Sequence, residues 1–88
     1  MADPSPTVGE LFKAGVVNHG DLNTLIDAVL DGRAQEQAEL GEGYTLDVAA
    51  AVKANAFATA VLRDKTSTNG ARRTAVRTAI LLARAQRA

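Results

Sequence analysis

The sequence predicts an all-α protein, a compact bundle of four helices at about 8–17, 21–31, 45–65 and 71–87. Three observations carry this. Leu22, Leu25, Ile26, Val29 and Leu30 recur at i, i+3, i+4, i+7 and i+8, the spacing of one apolar helix face. Helix-start residues and polar or glycine-rich breaks divide the chain into segments of helical length. No run alternates at period two for long, and no hairpin turn is flanked by β-formers, so no strand competes.

Residues 1–6, with Pro4 and Pro6, read as an extended N-terminal arm, and 7–88 as one helical domain. Thr7-Val8-Gly9-Glu10 fits a capping box, in which the Thr7 hydroxyl and the Glu10 carboxylate each take one free amide. Val8, Leu11, Phe12 and Val16 continue a first helix that Asn18-His19-Gly20 ends. Asp21 is the expected cap of the second helix, whose other face carries Asn23, Asp27 and Asp31. Gly32 is placed to supply a left-handed residue after its end. Residues 33–40 are strong helix formers but nearly all polar, and form either a short extra helix or a continuation of the second.

Gly41-Glu42-Gly43 reads as a helix–helix connection and Thr45 as the cap of the third helix. At about 100° per residue, Leu46, Ala50, Ala54, Phe57 and Val61 form one stripe, with Val48, Val52 and Leu62 outside it. A helix apolar on most sides is a buried one, so this helix is expected to be the pivot of the fold and Phe57 nearly fully buried. Thr66-Ser67-Thr68-Asn69-Gly70 is a polar loop before the fourth helix, which is expected to pack through Ala71, Ala75, Ala79 and Leu82.

Eighty-eight residues bury roughly 60–65% of their unfolded surface, which makes a thin core. Hydrophobic residues make up 47%, enough for packing, but many are alanine and only Phe12, Tyr44 and Phe57 are aromatic. Surface supplied by a partner, or by another copy, is expected to add stability. The absence of cysteine excludes disulfides, thiolate chemistry and cysteine-based metal centres. The N-terminus lacks the basic and apolar regions of a signal peptide, and the apolar runs 48–52 and 79–83 fall far short of the ~20 residues of a membrane span. The expected location is the cytoplasm, with no membrane partner.

Candidate chemistry is sparse. His19 is the only histidine and reads as an exposed turn residue, with Asp21 the only carboxylate beside it. Asp27 and Asp31 lie one helical turn apart and read as a solvated face rather than an acid–base pair or a cation site. Gly41 and Gly43 do not make a phosphate loop, since no strand precedes them and the next glycine is missing. Asn55 and Thr59 fall inside an apolar helix; each could contact a ligand or a partner helix, but the preferred reading is a side chain bonded to backbone or facing a thin spot in the bundle. No catalytic residue, metal ligand or cofactor site is assigned, and the chain is read as not an enzyme. Leu46–Ala50 followed by Thr59–Arg63 is similar in spacing to a helix-turn-helix, whose turn would fall near 51–55. No glycine or proline breaks that stretch, so it is read as one helix and no family is assigned.

Charge is the strongest functional signal. Residues 1–50 hold nine acids and two bases, and residues 51–88 hold one acid and eight bases, so formal charges of −7 and +7 hide in a total of zero. Arg72, Arg73, Arg77, Arg84 and Arg87 crowd the last helix with no acid among them. They can face the chain's own acids, another protein, or phosphates. The nucleic-acid reading has suitable guanidinium chemistry but lacks a lysine-rich arm and an aromatic platform, and the acidic half would repel a polyanion. The preferred reading is a small structural or interaction protein that assembles with itself or a protein partner through charge-complementary faces; the alternative is a nucleic-acid-binding protein or small regulator that uses the arginine face of the last helix. Its assigned contact residues are Arg73, Arg77, Ile80, Arg84 and Arg87 on one side and Asp27 and Asp31 on the other.

Overall fold

The computed structural model describes residues 6–33, 38–41 and 43–87. The chain is mostly helical, as its sequence predicts, but the described residues form five helices and a small sheet in place of four helices. The helices are α1 (Val8–Lys13), α2 (His19–Leu30), α3 (Val48–Ala54), α4 (Ala56–Arg63) and α5 (Asn69–Leu82). The strands are β1 (Ala38–Leu40), β2 (Tyr44–Leu46) and β3 (Gln86–Arg87), in the antiparallel order β1-β2-β3.

Each of these helices begins at a side chain that accepts from the backbone amide three residues on, which satisfies one of the amides a helix leaves unpaired. The caps are Thr7, Asn18, Asp47, Asn55 and Thr68. Thr7 and Glu10 form the expected capping box, with both bonds at 3.1 Å. Asn18 and Asp21 form a second. Asp21 is therefore the third residue of α2 rather than its cap, and His19 lies inside the helix rather than in a turn. Gly15, at φ +80°, stops α1 at Lys13, earlier than expected. The Val16 amide then bonds the Leu11 carbonyl at 2.9 Å and the Gly15 amide that of Phe12 at 3.2 Å, a Schellman closure. Gly32 ends α2 in the same way, as expected from sequence.

The segment 38–46 departs most from expectation. It is a β-hairpin, with Ala38 opposite Leu46 and Leu40 opposite Tyr44. The glycines of 41–43 turn a hairpin rather than join two helices, and Thr45 sits in β2, while Asp47 caps the next helix. The expected helix near 33–40 fails at 38–40, and its residues 34–37 lie outside those described. Gly41 packs so closely on the loop after α1 that a Cβ there would lie 2.5 Å from the Val16 carbonyl oxygen. β3 completes the sheet by pairing Gln86 with Thr45. On the other side of the C-terminal segment, Ala85 N–H donates to Pro6 O and Val8 N–H to Ala83 O, both at 2.9 Å. Pro6 thus belongs to the folded body, while the rest of the expected arm, 1–5, lies outside the described residues.

The expected third helix, 45–65, is two helices. Asn55 takes φ −95° and ψ 108°, which ends α3, and its Oδ1 accepts from Ala58 N–H at 2.9 Å to start α4. Thr59 Oγ1 donates to Asn55 O at 3.0 Å. This break resets the helical phase. Ala58 becomes fully buried and Phe57 turns outward, 57% exposed, which overturns its expected burial. Removing the cap by Asn55→Ala should cost about 0.5–2 kcal/mol. At about 4–8 °C per kcal/mol for a domain this size, thermal melting reads the loss directly. A variant that melts at or above the wild-type temperature would show that one continuous helix suits this sequence.

The pivot is α5, which packs against all four other helices. Ala75, Val76, Ala79 and Ile80 are buried along it. It stops at Leu82 rather than running to 87, because the chain after Ala83 is drawn into the sheet. Around α5 close Val8 and Leu11 of α1, Leu22, Leu25 and Ile26 of α2, Leu40 and Leu46 of the hairpin, and Val48 and Val52 of α3.

Candidate protein-interaction surface

The residues assigned from sequence do not gather on one free face. Ile80 is fully buried, so it is a core residue and not an apolar contact among arginines. The reason lies in its helix: Ile80 follows Val76 by one turn and joins Ala75 and Ala79 on the inward side. Arg73 turns toward α2, where its Nη1 donates to Asp27 Oδ1 and its Nη2 lies 3.5 Å from Asn23 Oδ1. Asp27 and Arg73, separated by 46 positions, therefore meet within the chain. An exposed pair of this kind contributes only about 0–1 kcal/mol. Asp31 does not meet α5; it pairs with its neighbour Arg33 at 2.8 Å.

Arg77 lies over the ring of Phe12 at 5.9 Å from the centroid, a cation–π contact between α5 and α1. His19 approaches the same ring edge-on, with centroids 4.8 Å apart, so one aromatic joins α1, α2 and α5. Arg84 is exposed beyond the end of α5 and bridges Thr7 through the backbone. Arg87 contributes its backbone to β3, and its side chain lies outside those described.

Arg72 packs where α4 ends, with Nη2 donating to Asp64 O at 3.4 Å. Its Nε is buried with no partner among the described residues. Asp64 Oδ1 accepts from Thr66 Oγ1 at 2.6 Å and from Thr66 N–H at 2.9 Å. These bonds, with the Arg72 charge, hold its carboxyl below the ordinary value of 3.8. A lowered carboxyl pKa stabilises the fold above the unfolded value and ceases to do so as pH falls through the folded one. Asp64→Asn should therefore melt below wild type at neutral pH, with the gap closing as pH falls below 3.8. A gap that stays constant into acid would mean that charge on Asp64 plays no part in holding the turn.

Sequence reasoning missed the surface that the fold does leave open. Between α3 and the C-terminal end of α5 runs a trough of about 400 Å³. Its lining includes Ala50 and Ala54 of α3 and Ala79 and Ala83 at the end of α5, pairs one helical turn apart whose side chains are too short to close the gap. Beside them Leu82 is 66% exposed, against the expectation that it packs inward. Asp47, Asn55, Arg84 and Gln86 give the trough its polar edge. The alanine spacing is present in the sequence. What hides the trough there is the assumed continuity of 45–65 and 71–87, which places Ala54 and Leu82 in the core. A second hollow of about 450 Å³ lies at Gly15, Val16, Gly41 and Tyr44.

Among the described residues no group of three or more His, Cys, Asp or Glu is placed to hold a metal ion. None of the described helices is long and apolar enough to cross a membrane. Comparison with protein-family models, curated proteins and solved structures finds no match to this chain.

Proposed function

We propose that this is a small, non-enzymatic interaction protein of the cytoplasm that assembles with itself or another protein through the trough beside Leu82. The observation that carries the reading is Leu82, a leucine left two-thirds in water at the mouth of an alanine-lined trough with a polar edge. An apolar centre with a polar rim is the anatomy of a protein interface. The proposal shifts the contact away from the arginine row, because Arg73 and Arg77 are engaged within the chain and Ile80 lies in the core.

Nucleic-acid binding is the second reading, and the same contacts weaken it. Arginines held by Asp27 and Phe12 must leave those partners to meet phosphate. α3 and α4 are joined through Asn55 alone, not by the 3–4-residue turn of a helix-turn-helix. α1 and α2 are joined by a short turn, but the exposed side of α2 presents Asn23, Thr24 and Asp27, and α2 carries no lysine or arginine to meet phosphate.

The test is solution mass and partner capture for wild type and Leu82→Glu, with and without a mixed-sequence duplex. Leu82→Glu should weaken protein association by at least about tenfold, the loss of one interface anchor. Helicity should be unchanged. If Leu82→Glu changes nothing while Arg73→Glu with Arg77→Glu weakens binding to the duplex, the nucleic-acid reading replaces this one.

A further inference from the structure

We infer that the trough is occupied by a second copy of this chain, docked about a two-fold axis so that Leu82 of each copy enters the trough of the other. The inference rests on the interaction reading above and names the partner. Its first support is shape. Leu82 projects from the last turn of α5, and the hollow beside it is lined by Ala50, Ala54 and Ala83, with Ala79 at its base. A protruding leucine and an alanine-lined hollow on the same face are self-complementary under a two-fold, where residue i meets j and j meets i.

The second support is charge. The edge of the trough carries one acid, Asp47, and one base, Arg84, both exposed. A two-fold sets the Asp47 of one copy against the Arg84 of the other, twice. Asp47 Oδ1 accepts from Ala50 N–H at 2.9 Å, which leaves carboxylate lone pairs for a further donor. A guanidinium has five N–H donors, so Arg84 can keep its contact within the chain and still reach across. Asn55 and Gln86 add amides that both donate and accept. A partner of single charge would match only half of this edge, whereas a second copy matches all of it.

The third support is need. Among the described residues the buried cluster contains no aromatic side chain. Phe57 and Leu82 stand outside the core. Burying Leu82 and the alanines in a dimer adds apolar area that the monomer lacks the large side chains to bury by itself.

The test uses two variants at positions on the trough. Leu82→Lys puts a cation on the knob. Ala50→Glu puts an anion in the hollow, at the third residue of α3, where an acid suits the helix start. Sedimentation equilibrium of wild type should give a dimer in the micromolar to millimolar range that dissociates on dilution. Each variant alone should be weakened at least tenfold. Mixed one to one they should recover association, because the introduced ammonium of one copy meets the introduced carboxylate of the other, while the second contact keeps its native Leu82 and Ala50. Circular dichroism checks that both variants fold.

A wild-type monomer at all concentrations up to about 1 mM overturns the inference. So does a mixture no more associated than its components. Cross-linking in a lysate of cells that make the protein separates this failure from that of the broader reading. A monomeric wild type whose cross-links to another protein vanish in Leu82→Glu overturns only the second copy. A monomeric wild type with cross-links indifferent to Leu82 overturns both.

Discussion

Ile80→Ala is expected to lower stability by about 2–5 kcal/mol, the cost of truncating a fully buried branched side chain. Small domains have about 5–15 kcal/mol in all, so the variant should be near or past the edge of folding at physiological temperature. Ile80 is fully buried on α5, the helix that every other helix packs against. The instructive control is Phe57→Ala. It removes a larger side chain but one 57% exposed, so it should cost less than about 1 kcal/mol. Urea unfolding followed by circular dichroism ranks the two. The opposite ranking would mean that 45–65 is one helix after all and that Ile80 faces solvent.

Deleting residues 84–88 is expected to be as damaging as a core truncation, although it removes no helical residue. It takes away buried Ala85, the pairing of Gln86 and Arg87 with β2, and the bond from Ala85 N–H to Pro6 O. Each lost hydrogen bond is worth about 1 kcal/mol, and each partner left unsatisfied costs more. A hairpin of two short strands is marginal without a third. Hydrogen exchange should therefore accelerate first at β1, β2 and the start of α1. Gln86→Pro is the finer version. Amides alternate sides along an extended strand, so with Ala85 bonded to Pro6 the Gln86 amide faces β2, and proline removes it. Unchanged protection of the Thr45 region in both variants would show that β3 contributes nothing to the sheet.

Local signals are legible where one residue type answers one backbone need. Thr7 and Glu10 cap α1, and Gly32 closes α2 with φ +75°. Leu22, Leu25 and Ile26 are buried where their spacing places them. Two further signals are present but lose to stronger neighbours. Ala38, Leu40, Tyr44 and Leu46 alternate on either side of Gly41 and Gly43, yet the helix-forming Ala, Glu and Leu of 33–40 suggest a helix. Asn55 is a good cap, but amid Ala50, Ala51, Ala54 and Ala58 its effect on the helix phase is invisible without the fold.

The sequence alone makes the chain mostly helical, places the cap that begins α1 and sets the apolar stripe of α2, because these depend on contacts within a few residues. It also sets the opposed charges of the two halves. Tertiary packing makes α5 the pivot, puts Ile80 in the core and Phe57 and Leu82 on the surface, and turns Arg73 toward Asp27. It also makes 86–87 a strand, since two residues have no period of their own and pair only because β2 and Pro6 lie on either side. Those outcomes depend on which distant segment occupies each helix face, and a chain read in sequence order does not contain that neighbour.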